Sequence, residues 1–391
     1  MKNKSSMGGQ LRKYCPVCGN SNVRSKEYFQ RDYRGCKDIV PFSYYHVYAC
    51  ENCGMIYAGD MEVSMPLSAY YAKMSRYEGK SFVLSHQVRN FYAREADFIA
   101  KYIDKDAAVL DIGCAFGGLL DTLRERGYSN LNGLEISKVN VDYANKELGL
   151  NVYQGGLGMN NSLPQKYDLI ILSGVLEHLL NLHECVNEIK QYLNSKGKIF
   201  VIVPDLNDFC NHEDLYQEFS VEHINYFSVN SLAKLFSMYN IGLEQCETDH
   251  VSFYGLAGNL FSLWSIDKKS VVLKDTFLPL ENYLAKCEVW GNKVIEKFST
   301  FDMKEGFYIW CAGTQTAMLY QLNCFDHKMV KGIFDSNENY IGEYFWGNKI
   351  KHPKELLNIP QLPIFISSQY AEKTIMLTIE EMQLKNEVWT L

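Results

Sequence analysis

Long apolar runs are missing from this chain of 391 residues. No stretch approaches the ~18 apolar residues of a membrane-spanning helix, and the opening residues, Met-Lys-Asn-Lys-Ser-Ser-Met-Gly-Gly, lack the apolar core of a signal peptide. We therefore expect no membrane association and a cytoplasmic site of action. Basic residues are also not in surplus, since the formal net charge is −7. This balance argues against a nucleic-acid surface, which needs clustered Lys and Arg.

Cysteine is not scarce, and without an export signal we expect the 12 cysteines to be thiols or metal ligands and not disulfides. Two C-x-x-C-G segments stand out, Cys15 to Gly19 and Cys50 to Gly54. Together they supply the four thiolates of a tetrahedral structural zinc site. Redox-active dithiols, or the same turns without a metal, remain open. A closed four-thiolate site has no position for substrate, so we assign it no catalytic role. The predicted zinc ligands are Cys15, Cys18, Cys50 and Cys53.

A Gly-rich turn follows an apolar run at residues 108–117, Ala-Val-Leu-Asp-Ile-Gly-Cys-Ala-Phe-Gly. The run ends at Asp111, and the turn contains Gly113 and Gly117 before a predicted helix. A second predicted strand, residues 131–136, closes at Glu135. A buried parallel strand that enters such a turn, with an acid after the next strand, is typical of a nucleotide cofactor site. The glycines do not have the spaced G-x-G-x-x-G pattern of dinucleotide enzymes.

The alternation of strands and helices continues after this turn. Residues 167–173 predict a buried strand, Gly174-Val-Leu-Glu-His follows, and a helix leads through a Ser-Lys-Gly turn to a strand over 198–203. Alternation of this kind predicts a mostly parallel sheet wrapped by helices. Glycines that serve only packing in a generic α/β protein are the alternative.

The last third of the chain repeats the same pattern. A strand over 307–313 enters a glycine turn, a helix covers 314–322, and a strand over 330–335 ends in Asp335. This unit is expected either to hold a second nucleotide, such as the handle of an activated sugar, or to act as a structural lid. Before it, residues 277–298 place apolar side chains on one helical face.

The predicted fold class is α/β with three parts: an N-terminal zinc-binding module, a central Rossmann-like sheet and a smaller C-terminal Rossmann-like domain. The predicted bounds are 14–66 for the zinc module, 67–268 for the central domain, 269–304 for a helical connector and 305–391 for the C-terminal domain.

The first motif resembles that of class I S-adenosylmethionine (SAM) methyltransferases. The order of the three parts is similar to that of the zinc-binding sugar C-methyltransferases of deoxysugar and surface-polysaccharide biosynthesis. The most specific matching pieces are the four knuckle cysteines, residues 109–117, Glu222-His223 with Tyr226-Phe227-Ser228, the Gly313-Thr314 turn and Phe334-Asp335.

The resemblance implies SAM as the cofactor, zinc as a structural metal and a nucleotide-linked sugar as the substrate. It implies that His223 is the base that forms an enolate, which then attacks the methyl group. The implied catalytic residues are His223, Glu222, His178 and Tyr77. The implied cofactor-binding residues are Asp111, Gly113 and Gly117 for the methionine part, Glu135 for the ribose, Ser173 along the floor, and Ile136 without an assigned part of the cofactor. An adenine contact is expected near Leu157.

The chain departs from this family at positions that would handle the enolate. Gly79 and Ser220 stand where the family has tyrosines, and Leu256-Ala257-Gly258 stands where it has His-Gly-Gly. O-methylation of a sugar hydroxyl, which needs less stabilisation of an oxyanion, is therefore the competing prediction.

Structural roles for the same residues also remain open. Glu222 and His223 could cap the helix near Val229, His178 could belong to a helix start, and Tyr77 could be a packing aromatic. Two further classes stay as alternatives for the whole chain: a zinc-ribbon scaffold or nucleic-acid-binding protein, and an NAD-dependent sugar enzyme. The sequence predicts neither the sugar nor the oligomeric state.

Overall fold

The structure, a computed structural model, describes residues 11–73, 86–159, 161–211, 214, 216–251, 257–269 and 276–391. Its strands are β1 Ser25–Asp32, β2 Phe42–Cys50, β3 Ile56–Val63, β4 Val109–Ile112, β5 Leu131–Glu135, β6 Val152–Gln154, β7 Tyr167–Ser173, β8 Leu193–Pro204, β9 Asn225–Tyr226, β10 Ile241–Asp249, β11 Asn259–Ile266, β12 Phe307–Trp310, β13 Val330–Phe334, β14 Tyr344–Phe345, β15 Asn348–Lys351, β16 Ile364–Ile366 and β17 Val388–Trp389. Its helices are α1 Leu67–Lys73, α2 His86–Ala100, α3 Gly118–Glu125, α4 Lys138–Lys146, α5 Leu182–Tyr192, α6 Val229–Ser237, α7 Leu278–Phe298, α8 Thr314–Gln321 and α9 Glu372–Glu381, and a 3₁₀ helix covers Leu176–His178.

The N-terminal sheet is antiparallel and has the order β1-β2-β3-β9. Its fourth strand comes from the middle of the chain, where Tyr226 pairs with Ile56 and Asn225 pairs with Tyr57. The Ala58 N–H also donates to the Ile224 oxygen at 2.9 Å. The N-terminal sheet therefore anchors the segment that directly follows Glu222 and His223.

The central sheet has seven strands in the order β10-β11-β8-β7-β4-β5-β6. The strands from β8 to β6 in this order are parallel, and all four residues of β4 are buried. An unbroken apolar run is expected of a strand covered by helices on both faces. The predicted parallel sheet is thus confirmed, and antiparallel strands β11 and β10 extend its edge beyond β8.

The C-terminal sheet has the order β14-β15-β13-β12-β16-β17. It is parallel except for the β14–β15 pair at its edge. The predicted strands over 307–313 and 330–335 correspond to β12 and β13, which are neighbours. The carboxyl ends of these two strands therefore meet, as a nucleotide site in an open α/β sheet requires.

The long helix α7 joins the sheets through its apolar face. Leu280, Tyr283, Cys287, Val294 and Phe298 are buried at helical spacing, as the stripe over 277–298 predicted. They belong to one hydrophobic cluster with residues of the N-terminal and C-terminal sheets. The mixed α/β fold class is confirmed, while the predicted domain bounds stay a prediction.

One local prediction is wrong. The Ser-Lys-Gly segment at 195–197 was predicted as a turn before a strand over 198–203, but β8 already begins at Leu193. The Leu193 position pairs with Tyr167 of β7, and the register shifts before Leu169 pairs with Lys198. Residues 194–197 thus form an irregular part of β8 that bulges out of the pairing with β7, since only one residue of β7 separates the partners of Leu193 and Lys198.

Candidate active site

The Gly-rich turn after β4 has the backbone conformation that its glycines suggested. Gly113 and Gly117 have φ values of 75° and 81°, a left-handed region that favours glycine. The Gly113 N–H donates to the Leu134 oxygen at 2.7 Å and ties the turn to β5. Gly113 lines the central cavity, whereas Gly117 does not. A Cβ on Gly117 would lie 2.5 Å from Leu150 Cδ1, so this glycine serves the turn and the packing behind it.

Glu135 lies at the end of β5 and closes the turn from the other side. Its Oε2 accepts a hydrogen bond from the Ala115 N–H at 3.0 Å, and its Oε1 accepts one from the Ser137 N–H at 2.8 Å. Burial raises the pKa of Glu135, and these backbone donors oppose the rise. Each carboxylate oxygen has a second lone pair. Glu135 lines the cavity together with the predicted Ile136 and with Leu157.

Two buried acidic residues, Asp111 at the end of β4 and Glu95 of α2, line the cavity near the turn. Glu95 was not predicted from the sequence. Burial raises the pKa of each carboxyl well above its ordinary value, and the charge of Asp111 raises that of Glu95 further. The Ser173 hydroxyl donates to Glu95 Oε1. Glu95 Oε2 has no hydrogen-bond partner within the described part of the chain.

The chemistry that suits this acidic pair is the binding of a cation. Two carboxyl groups removed from water favour a positive ligand group, because it offsets the cost of burying their charge. The predicted residues Asp111 and Ser173 therefore lie together, with Glu95 as a third partner. Glu95 gave no sequence signal because α2 precedes the sheet and shows only an amphipathic pattern.

Glu222, His223 and His178 converge on the opposite wall of the cavity. The rings of His178 and His223 lie 4.8 Å apart between centroids. The Tyr70 hydroxyl donates to Glu222 Oε1 at 2.6 Å, and His178 Nδ1 lies 3.0 Å from the backbone oxygen of Glu222. These contacts hold the three predicted residues in one group.

The structure also decides the alternative role of Glu222 and His223. The helix α6 is capped by Ser228, whose hydroxyl accepts from the Ser231 N–H in a capping box. Glu222 and His223 are therefore not its caps. The Ser220 Oγ accepts from the N–H groups of Glu222 at 3.2 Å and His223 at 3.0 Å, so Ser220 orients this loop.

Tyr77 and the departure at Gly79 lie outside the described residues, as does Leu256. A different aromatic residue, Tyr71 of α1, lines the cavity and lies edge-to-face against His178 with centroids 6.1 Å apart. The sequence did not distinguish Tyr71 from the other tyrosines of this segment, because aromatic content alone does not show which ring faces a cavity.

The second glycine turn opens into the same cavity. Asp335, after β13, accepts from the Ala312 N–H at 2.7 Å through Oδ2 and from the Asn337 N–H at 2.8 Å through Oδ1. Burial raises its pKa, and these backbone donors oppose the rise. Space is open around Gly313, where an added Cβ would meet nothing within 4 Å. The arrangement repeats that of Glu135 and Ala115.

One cavity of about 830 Å³ therefore joins both turns and the histidine group. It is lined by Gly113 and Glu135 on the central sheet and by Gly313 and Asp335 on the C-terminal sheet. Arg31 of β1 also lines it. This guanidinium is buried and donates to the backbone oxygens of Phe219 and Tyr216, and no carboxylate partner is found for it among the described residues.

The four knuckle cysteines lie together away from this cavity. Cys15 Sγ lies 3.6 Å from Cys53 Sγ, and Cys18 Sγ lies 3.4 Å from Cys50 Sγ. Four sulfurs at ~2.3 Å from a zinc ion would be roughly 3.8 Å apart. The Gly19 N–H donates to the Cys15 oxygen, and the Gly54 N–H donates to the Cys50 oxygen, which closes each turn. The donor set fits a structural zinc ion.

In the part of the chain that the structure describes, no helix is long and apolar enough to cross a membrane.

Comparison with known proteins finds a similarity in the central part of the chain. Residues 84–245 match a family described as a methyltransferase domain. This match confirms the predicted enzyme class of methyltransferase and supports SAM as the cofactor.

The individual relatives are distant. The uncharacterized protein MJ0638 of Methanocaldococcus jannaschii is 29% identical over 123 residues, which cover 30% of this chain and 50% of that protein. The chain thus spans about half the length of the curated relative it matches. Among solved structures, the PH0226 protein of Pyrococcus horikoshii OT3 shares 18% identity and a TM-score of 0.40, covering 51% of this chain and 98% of that one. A SAM-dependent methyltransferase of Clostridium acetobutylicum shares 13% identity and a TM-score of 0.37, covering 45% and 92%.

Proposed function

We propose that this protein transfers a methyl group from SAM to a nucleotide-linked sugar. The observation that supports this most directly is the cavity that joins two glycine turns, each closed by an acid that accepts from two backbone N–H groups. The turn of the methyltransferase domain, with Glu135, suits the cofactor. The turn with Asp335 suits the nucleotide of the acceptor, and the histidine group lies on the wall of the cavity they share.

The residues of the first turn would hold SAM by complementary charge and hydrogen bonding. Asp111 and Ser173 would receive the methionine part, with Gly113 in the lining and Gly117 behind the turn. The Glu135 carboxylate, which lines the cavity, would accept from the ribose hydroxyls, and Ile136 and Leu157 would pack near the base. SAM supplies the electrophilic methyl group.

The second turn and Arg31 would bind the acceptor's nucleotide. Asp335 has the geometry of Glu135 and would accept from a second ribose, while the open space at Gly313 allows a phosphate to approach the backbone at the start of α8. Arg31 is a buried cation on the cavity wall, and a diphosphate would give it a negatively charged partner.

Two acceptor atoms are compatible with this site. In C-methylation, a proton leaves the carbon beside a ketone, the enolate carbon bonds to the methyl carbon, and the bond from that carbon to sulfur breaks. In O-methylation, the hydroxyl loses its proton and its oxygen makes the same attack. His223, with Glu222 and His178, would activate the acceptor in either case, and Tyr77 remains a predicted member of this group.

One observation favours O-methylation as the second candidate. Ser220 replaces a family tyrosine, and its hydroxyl oxygen accepts from two backbone N–H groups of its own loop. It therefore stabilises the loop and does not replace the lost enolate contact.

We further propose that the knuckle cysteines hold one structural zinc ion. Closing the two turns on a metal would order the N-terminal sheet, whose strand β3 pairs with β9 beside the histidine group. The zinc ion would thus affect the methyl-transfer rate only by fixing the position of the loop before β9, which carries Glu222 and His223.

A reciprocal binding experiment tests the two-site proposal. Calorimetry with S-adenosylhomocysteine and, separately, with UDP and dTDP would be run on the wild type, Glu135→Gln and Asp335→Asn. Glu135→Gln should weaken the binding of S-adenosylhomocysteine about tenfold and leave nucleoside diphosphate binding unchanged. Asp335→Asn should weaken the binding of the nucleoside diphosphate about tenfold and leave S-adenosylhomocysteine binding unchanged. Each variant is the control for the other. No binding of S-adenosylhomocysteine by the folded wild type would exclude the cofactor, and no nucleotide binding would exclude the nucleotide-linked acceptor.

A further inference from the structure

Three potential metal ligands meet on the acceptor wall of the cavity. Glu177 and His178 come from the 3₁₀ helix after β7, and His223 comes from the loop before β9. A carboxylate oxygen and one nitrogen of each histidine all lie within 4.8 Å of one another. Glu177 and His178 are buried, and His223 is half-buried. We call these three residues the His-Glu triad.

The hydrogen bond of His178 determines which of its nitrogens faces the triad. A backbone carbonyl only accepts, so Nδ1, at 3.0 Å from the Glu222 oxygen, is the donor. The Nε2 lone pair of the neutral ring is then directed to the side of Glu177, whose Oε1 lies 3.8 Å away. Metal-binding histidines are commonly oriented in this way, by a hydrogen bond from the other ring nitrogen to a carbonyl.

The distance between Nε2 and Oε1 does not suit a direct hydrogen bond. It exceeds the ~3.2 Å upper limit of normal N–H···O bonds. A positive ion placed between the Nε2 lone pair of the neutral ring and the carboxylate would attract both groups. Two ligand atoms that are each roughly 2.0–2.2 Å from one metal ion are roughly 2.8–3.6 Å apart at coordination angles of about 90–110°, so a contraction of a few tenths of an ångström would bring both atoms onto one ion.

Glu177 adds an independent sign of a missing positive partner. Its side chain is only 4% exposed, and its Oε2 makes no hydrogen bond in the described part of the chain. No Lys or Arg forms an ion pair with it among the described residues, and a buried unpaired carboxylate is costly.

We propose that Glu177, His178 and His223 bind one divalent first-row transition-metal ion. Two imidazoles and one carboxylate suit such ions and leave coordination positions open. Those positions would face the cavity, where, if the proposed function holds, an oxygen atom of the sugar acceptor lies. A cation there withdraws electron density from the coordinated oxygen. The ion would therefore stabilise negative charge on the oxygen of an enolate or of a deprotonated hydroxyl. It would take over the role of the tyrosines that the resembling family has at the positions of Gly79 and Ser220.

This site gives His223 a different role from the base predicted by resemblance. As a metal ligand, His223 acts on the acceptor through the ion, and the proton that the acceptor loses would pass to the Glu222 carboxylate, which also lines the cavity. The two roles are separable, because a base needs no metal whereas the triad binds metal in the absence of SAM and sugar.

The test uses the full-length protein with its cysteine site filled with zinc, and Co²⁺ as the probe. One further equivalent of cobalt should bind, with the weak visible absorption of nitrogen and oxygen ligands and without intense thiolate-to-cobalt bands. Glu177→Gln and His223→Gln should each weaken cobalt binding at least tenfold and leave the zinc content unchanged. Glu27→Gln is the matched control, because Glu27 lies 3.0 Å from His46 in a His–Glu pair outside the cavity.

Absence of the additional cobalt in folded wild-type protein would overturn the proposal. So would cobalt binding that survives both triad substitutions. Circular dichroism checks that the variants fold, and S-adenosylhomocysteine titration of the same samples reports on the cofactor site separately. Failure of the metal site is therefore distinguishable from failure of the proposed methyl transfer.

Discussion

His178 donates from Nδ1 to the backbone oxygen of Glu222 at 3.0 Å, which couples the turn after β7 to the loop before β9. Because the acceptor is a main-chain group, no substitution at Glu222 removes it directly. The Glu222 carboxylate has a separate partner, the Tyr70 hydroxyl at 2.6 Å. The two contacts can therefore be tested one at a time.

Tyr70→Phe should lower the methyl-transfer rate roughly tenfold and leave S-adenosylhomocysteine binding unchanged. The substitution removes one hydrogen bond to a charged group, worth about 1.5–3 kcal/mol, and keeps the buried ring. Single-turnover kinetics measure the rate, and calorimetry measures the binding. Tyr44→Phe, which removes a hydroxyl bonded to Gln30 on the exposed side of the N-terminal sheet, is the control. An unchanged rate in Tyr70→Phe would show that the hydrogen bond from Tyr70 to Glu222 does not contribute to methyl transfer.

His223→Ala should fold, bind S-adenosylhomocysteine like the wild type and lose at least a hundredfold in turnover. This residue lines the cavity, and none of the predicted cofactor-binding roles depends on it. His352→Ala, which removes a half-exposed histidine of the C-terminal sheet, is the matched control. Wild-type turnover in His223→Ala would exclude His223 as either base or metal ligand.

Glu95→Gln should stabilise the ligand-free protein against unfolding and weaken its binding of S-adenosylhomocysteine. Since the folded-state pKa is raised, the folded protein binds the proton more tightly than the unfolded chain, and stability falls as pH rises above the unfolded pKa of ~4.3. Removing the charge should therefore raise the melting temperature at neutral pH, by about 2–4 °C for each 1 kcal/mol. The gain should shrink towards pH 4. Thermal melts between pH 4 and 8, with calorimetry, measure both effects, and a neutral-pH loss of stability would contradict the assignment.

Gly117→Ala should destabilise the protein by several kcal/mol more than Gly149→Ala. Both positions have positive φ, 81° and 65°, so both substitutions strain the backbone. Only at Gly117 would the new Cβ approach Leu150 Cδ1 at 2.5 Å, whereas nothing lies within 4 Å of it at Gly149. Urea unfolding of the pair separates packing from backbone strain. Equal destabilisation by Gly117→Ala and Gly149→Ala would show that the Leu150 side chain moves aside without a loss of stability.

Cys18→Ser should abolish the bound zinc and lower the melting temperature, because metal binding at a closed thiolate site contributes to folding free energy. Cys246→Ser, at an exposed cysteine of β10, should change neither. Metal analysis and thermal melts make the comparison. Full zinc content in Cys18→Ser would show that the four sulfurs do not act as one site.

Local patterns in the sequence were sufficient for the elements and for the cofactor turn. The apolar run before Asp111 predicts a buried parallel strand, and Gly113 and Gly117 predict a turn that needs positive φ. These signals lie within a few residues of one another, where steric and hydrophobic constraints act directly on the chain. The same local reasoning placed the start of β8 too late, because the strand begins at Leu193 and contains an irregular segment over 194–197 whose register against β7 depends on the tertiary structure.

The sequence by itself therefore determined the α/β elements, the two glycine turns with their acids and the four-cysteine set, since each follows from short-range periodicity and residue chemistry. Only the tertiary structure decided that β9 joins the N-terminal sheet, that Glu95 faces Asp111 and that Glu177 meets His178 and His223. These groupings bring together segments far apart along the chain. They depend on which burial and hydrogen-bonding partners the whole fold brings within reach, and no local pattern contains that information.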